Sequence, residues 1–147
     1  MKKGRMKRNF FSFLIGVIVS IALIYIRITP DKISNYVAVI SGVLSFASLA
    51  TGFLFASFSL IPSLPNSKLM KALRQLKTDK KLLDRLLITI MGFIFSSIFS
   101  IIALCFKSSE TLWYSTIVLV VLFGSFSFSV TDLIKVLRIL LRALEEM

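Results

Sequence analysis

The sequence predicts an all-α integral membrane protein, an antiparallel four-helix bundle with both ends in the cytoplasm and with cytoplasmic amphipathic helical extensions. Its 147 residues are 56% hydrophobic and only 17% charged, whereas a soluble domain has about 45–50% apolar and about 25% charged residues. The apolar residues fall into four runs of spanning length, and the basic residues alternate between rich and poor segments. We therefore expect one membrane domain over residues 1–147.

The distribution of lysine and arginine orients the predicted bundle. Basic residues are concentrated before the first run, between the second and third runs, and after the fourth. The two remaining connections hold only Arg27, Lys32 and Lys107. Because cytoplasmic loops carry the excess of Lys and Arg, we expect an inner-membrane protein with a cytoplasmic N-terminus, C-terminus and middle connection.

The first predicted span covers residues 10–26. The basic cluster before it resembles the start of a signal peptide, but the run of about 17 residues is long for a signal sequence and sufficient to span. No small-residue cleavage site precedes Arg27, which favours a retained span. Pro30 and Asp31 then predict a turn.

The second predicted span covers residues 36–60, with Tyr36 as an interfacial aromatic and with Pro62 and Pro65 ending or kinking the helix. A cytoplasmic basic helix is predicted over residues 67–85. It either lies in the headgroup region or extends the third span.

The third and fourth predicted spans cover residues 86–106 and 112–130. The four-residue connection Lys107–Glu110 forces them into a hairpin, and Trp113 begins the fourth span as an interfacial anchor. A cytoplasmic tail helix is predicted over residues 132–146, where Asp132 and Lys135 are spaced to pair on one face.

The basic helix presents its cations on one face, because they recur every three or four residues. This basic face comprises Lys68, Lys71, Arg74, Lys77, Lys81 and Arg85. It is interpreted either as a solvated loop that contacts anionic lipid headgroups, or as a docking surface for a cytoplasmic protein partner or a nucleotide-like signal. The net charge of +11 is explained by membrane orientation, so direct nucleic-acid binding is not expected.

Small residues of the second span form a stripe, since they step by three or four residues along the helix. The small-residue stripe comprises Ser41, Ser45, Ser48, Gly52, Ala56 and Ser59. Such stripes allow close helix approach in lipid. Two interpretations stay open: packing within the four-helix monomer, or a face for homo-oligomerisation or pore lining.

The residues needed for common enzyme chemistry do not occur in the required patterns. The chain has no histidine and one cysteine, Cys105, and it shows no carboxylate pair, metal-ligand cluster or glycine-rich phosphate loop. We therefore expect no enzyme activity, cofactor or metal site. No ionisable residue is expected in mid-span, which argues against a proton-coupled carrier.

The overall layout resembles that of small four-span membrane proteins of bacterial phage-exclusion and anti-phage defence systems. The resemblance is carried by the second span, SGVLSFASLATGFLFASFSL, the basic segment KLMKALRQLKTDKKLLDRLL and the short final hairpin. The membrane partner of the lambda-type exclusion pair and the membrane subunit of the Kiwa system share this layout. The resemblance implies a membrane sensor or effector that perturbs permeability or potential on a partner's signal. The alternatives are an accessory or immunity-type membrane protein and, with less support, a small transporter.

Overall fold

A computed structural model describes residues 3–63, 79–106 and 113–145 of the chain. These residues form four α-helices and one short 3-10 helix at Pro30–Lys32. The α-helices are α1 (Lys3–Ile26), α2 (Tyr36–Ser63), α3 (Asp79–Leu104) and α4 (Trp113–Glu145).

Three of these helices are long and apolar enough to cross a membrane: Tyr36–Ser59 in α2, Leu82–Leu104 in α3 and Trp113–Ile139 in α4. The apolar part of α1, Phe10–Ile26, is shorter. The predicted all-α architecture of four helices packed antiparallel is confirmed. By helix length and hydropathy the chain is a multi-pass membrane protein, and its orientation stays a prediction.

The helix boundaries refine the two segments that were predicted to be cytoplasmic extensions. Helix α4 runs without interruption from Trp113 to Glu145, so the predicted fourth span and the described part of the predicted tail helix over 132–146 belong to one helix. Residues 79–85 of the predicted basic helix form the first two turns of α3. The rest of that predicted helix, residues 67–78, lies outside the described residues.

The helices are arranged with α3 and α4 at the centre. Helix α4 packs extensively against α3 and α1, and α2 packs extensively against α3. Helices α1 and α2 therefore lie at the two edges of the arrangement. Every one of these neighbouring pairs is antiparallel, because successive helices reverse direction and each pair joins an odd-numbered helix to an even-numbered one.

The apolar core has two clusters, one toward each end of the bundle. Ala47, Leu54, Leu86, Phe93 and Val136 are among the buried residues of the first cluster, which joins α2, α3 and α4. Phe93 and Phe126 of this cluster pack edge to face with each other and with the exposed Phe46 of α2, with ring centroids 5.6–6.2 Å apart. Contacts of this geometry stabilise aromatic groups beyond their buried area.

The second cluster closes the end of the bundle at which α2 begins. Tyr36 is buried here with Ile40, Ala103, Leu119 and Leu122. Its hydroxyl donates a 2.7 Å hydrogen bond to the carbonyl oxygen of Ala103 in the last turn of α3. The same carbonyl also accepts a 3.1 Å hydrogen bond from the N–H of Phe106. A residue expected at the lipid interface therefore ties α2 to the end of α3.

Small polar residues bring α3 and α4 close together between these clusters. The hydroxyls of Ser96 and Ser125 lie 3.0 Å apart, and a Cβ added to Gly92 would collide with the hydroxyl of Ser129. Because lipid supplies no hydrophobic force between helices, such close packing and interhelical hydrogen bonds hold the pair together.

Candidate functional site

The small-residue stripe of α2 lies on the side of that helix that faces away from α3. Ser41 is half-buried, and the other five members, Ser45, Ser48, Gly52, Ala56 and Ser59, are exposed. A Cβ added to Gly52 would meet nothing within 4 Å. The stripe is therefore accessible to lipid or to another membrane protein.

The helical geometry of α2 separates its two faces clearly. Tyr36, Ile40, Ala47 and Leu54 are buried and mark the face packed on the core. At 100° per residue, the stripe is centred roughly 140° around the helix from that buried face. The exposed side chains of Leu49 and Phe55 flank the stripe, so it forms a shallow groove between larger residues.

A buried polar junction joins α1, α3 and α4 at the other candidate site. Asp132 of α4 has no exposed surface. One carboxylate oxygen accepts a 3.0 Å hydrogen bond from Ser12 of α1, and the other accepts a 3.3 Å hydrogen bond from Thr89 of α3. One side chain therefore holds three helices that are far apart in sequence.

Lys135 completes this junction from the next turn of α4. Its ammonium group donates a hydrogen bond to the hydroxyl of Ser12 and lies 5.0 Å from the ring centroid of Phe11. The Ser12 hydroxyl thus links the cation to the carboxylate, which reduces the cost of burying the charge of Asp132. Within the described ranges, no group of three His, Cys, Asp or Glu residues is placed to hold a metal ion.

The structure places Asp132 and Lys135 beside the hydroxyl of Ser12. Asp132 lies in the apolar segment Trp113–Ile139, 19 residues or roughly 29 Å along the axis beyond Trp113. This distance is close to the thickness of a hydrocarbon core, so its place at the boundary of the fourth span stays a prediction. The predicted pairing of Asp132 with Lys135 is made through Ser12, which hydrogen-bonds to both.

The predicted basic face is described only in part. Lys68, Lys71, Arg74 and Lys77 lie outside the described residues, and Lys81 and Arg85 lie in the first two turns of α3. The carbonyl of Arg85 accepts a 2.8 Å hydrogen bond from the hydroxyl of Thr89. The described end of the basic face is therefore one helical turn from the polar junction.

The geometry defines a class, a multi-pass α-helical membrane protein with a polar junction beneath its edge helix α1. Comparison with protein families, with curated proteins and with solved structures finds no match for this chain.

Proposed function

We propose that the protein is a non-enzymatic sensor or effector in the bacterial inner membrane, which assembles into homo-oligomers and perturbs permeability or potential in anti-phage defence. The observation that supports homo-oligomer formation is the small-residue stripe, which lies on the face of α2 that points away from the rest of the bundle. A stripe of this kind permits close approach of a second helix in lipid. The defence role rests on the resemblance of the predicted four-span layout to that of small membrane proteins of phage-defence systems.

The proposed trigger is a cytoplasmic protein partner that acts on the basic face. Arg85 at the end of that face is bonded through its carbonyl to Thr89, and Thr89 contacts Asp132, which holds Ser12 of α1. A displacement of the basic segment would therefore be transmitted through these contacts to the edge helix α1. Hydrogen bonds between packed helices are one of the physical connections through which such a displacement is transmitted.

The function is tested by inducible expression in bacteria with a potential-sensitive dye, with and without phage. We expect phage infection to depolarise cells that express the protein. We also expect the phage to form fewer plaques on these cells. A vector-only strain is the control. Unchanged potential together with unchanged plaquing would contradict the proposed function.

Substitution of Gly52 by leucine is expected to weaken self-association about tenfold, because the larger side chain fills the groove that a second helix would enter. Gly42→Leu is the matched control. A Cβ at Gly42 also meets nothing within 4 Å, but this residue lies about 85° from the centre of the stripe. Chemical cross-linking in membranes measures both variants, and equal cross-linking of the two would refute the role of the stripe.

The second candidate is an accessory or immunity-type protein that uses the same stripe to bind a different membrane protein. In that case Gly52→Leu abolishes co-purification of the other protein, and expression leaves the membrane potential unchanged. A small carrier has less support, since both carboxylate oxygens of Asp132 already accept hydrogen bonds from helix side chains.

The proposed orientation has its own test in a Cys105→Ala background. A cysteine at position 108, replacing Ser108, is expected to react with a membrane-impermeant maleimide in intact cells. A cysteine replacing Ser67 is expected to react only after the cells are opened, because its segment carries the cytoplasmic excess of charge. The reverse labelling pattern would overturn the orientation.

A further inference from the structure

Two cavities follow one another along the seam between α1 and α4. The first, of about 580 Å³, is lined by Ile24 and Arg27 of the α1 end, by Thr29, and by residues of α4 from Trp113 to Val121. The second, of about 410 Å³, continues past Val121 to Phe13 of α1 and Phe128 of α4. Both share Val121, so they form one elongated groove.

The groove is polar at one end and apolar along its length. Arg27, Thr29 and Thr116 supply a cation and hydroxyls at the end where α1 stops, and Ile24, Ile117, Val120 and Val121 line the part below. The exposed Trp113 lies at the same polar end. Tryptophan and arginine together mark the headgroup level of a bilayer.

The depth of the first cavity matches one membrane leaflet. The lining of this cavity along α4 runs from Trp113 to Val121, eight residues or about 12 Å along a helix. Half of a bilayer's hydrocarbon core is about 15 Å thick.

The backbone of Arg27 has an unusual conformation for a residue other than glycine. Arg27 follows the last residue of α1 and is left-handed, with φ 51°. The N–H of Ile28 then donates a hydrogen bond to the carbonyl of Leu23 in the last turn of α1. Glycine is the usual residue at this position of a helix end. The ammonium of Lys32 caps the helix end, because it donates hydrogen bonds to the carbonyls of Ile26, at 3.4 Å, and Arg27, at 2.9 Å. The guanidinium is therefore not needed for that capping.

We propose that the α1–α4 groove binds one phospholipid, with its phosphate on Arg27 and an acyl chain along the apolar wall. Arginine binds phosphate oxygens through paired, charge-assisted hydrogen bonds. The hydroxyls of Thr29 and Thr116 border the same end of the groove. The lipid belongs to the leaflet at the α1–α2 turn, which is the leaflet predicted to face outside.

Native mass spectrometry of the delipidated, detergent-solubilised protein with added phosphatidylglycerol tests this site. We expect one tightly bound lipid, with Arg27→Gln binding it about tenfold more weakly. Arg138→Gln is the matched control, because Arg138 is also exposed but lies near the opposite end of α4. We expect this variant to bind the lipid as tightly as the wild type does.

Two further measurements separate the headgroup and chain contributions. Val121→Phe, which fills the shared part of the groove, is expected to reduce binding of phosphatidylglycerol and phosphatidylethanolamine alike, with circular dichroism confirming its helix content. Soluble glycerol phosphate is expected not to displace the lipid. Wild-type binding by Arg27→Gln, an equal loss in Arg138→Gln, or displacement by glycerol phosphate would each overturn the proposal.

Discussion

Asp132→Ala is expected to lower the free energy of unfolding of the detergent-solubilised protein by about 2–4 kcal/mol. The change removes the acceptor of the hydrogen bonds from Ser12 and Thr89, and it leaves the partly buried Lys135 without a neighbouring carboxylate. The hydrogen bonds that are lost belong to the junction that holds α1 on the other helices. Denaturant titration in micelles, followed by far-ultraviolet circular dichroism, measures it.

Two variants show whether the hydrogen-bonded carboxylate itself is responsible. Asp132→Asn keeps one oxygen acceptor but loses the charge, so we expect a smaller loss of stability than with alanine. Asp31→Ala removes an exposed acid in the α1–α2 turn and is expected to change stability by less than about 0.5 kcal/mol. If Asp132→Ala were as stable as Asp31→Ala, the buried junction would not hold the helices together.

Gly16→Leu is expected to destabilise the protein by about 1–3 kcal/mol, because a side chain at this position overpacks the seam between α1 and α4. Its Cβ alone would lie 3.0 Å from the backbone carbonyl oxygen of Gly124 and 3.3 Å from Cβ of Phe128. Backbone atoms cannot move aside as a flexible side chain can. The same denaturant titration measures the loss.

Gly42→Leu is the matched control for this prediction, since it makes the same chemical change at a position in α2 where an added Cβ meets nothing within 4 Å. We expect its stability to stay close to that of the wild type. Equal stability of Gly16→Leu and Gly42→Leu would show that α1 does not pack closely on α4 in solution.

The helices themselves could be predicted from the sequence because spanning length and apolar composition suffice to specify them. The direction in which their small residues face could not be predicted from the sequence. Ser12, Gly16 and Ser20 of α1 lie against or beside α4, whereas the equally regular stripe of α2 faces away from the core. Spacing defines a stripe on a helix, but only the positions of the neighbouring helices determine what it contacts.

The polar junction was missed for a related reason. Asp132 follows the longest apolar stretch of α4, and its spacing from Lys135 is typical of an exposed pair. Its partner Ser12 is 120 residues away in the chain. A serine in an apolar run has no distinctive local pattern, so its role depends on the packing of α1 on α4.

The placement of α1 and α2 at opposite edges has a consequence for symmetry. If two copies join through the same face of α2, the contact is isologous and the assembly stops at a twofold dimer. If the α2 edge of one copy meets the α1 edge of the next, the contact is heterologous, and repeated copies close into a ring or extend without limit. Only a ring encloses a central space, so the pairing of edges distinguishes a dimeric sensor from a pore.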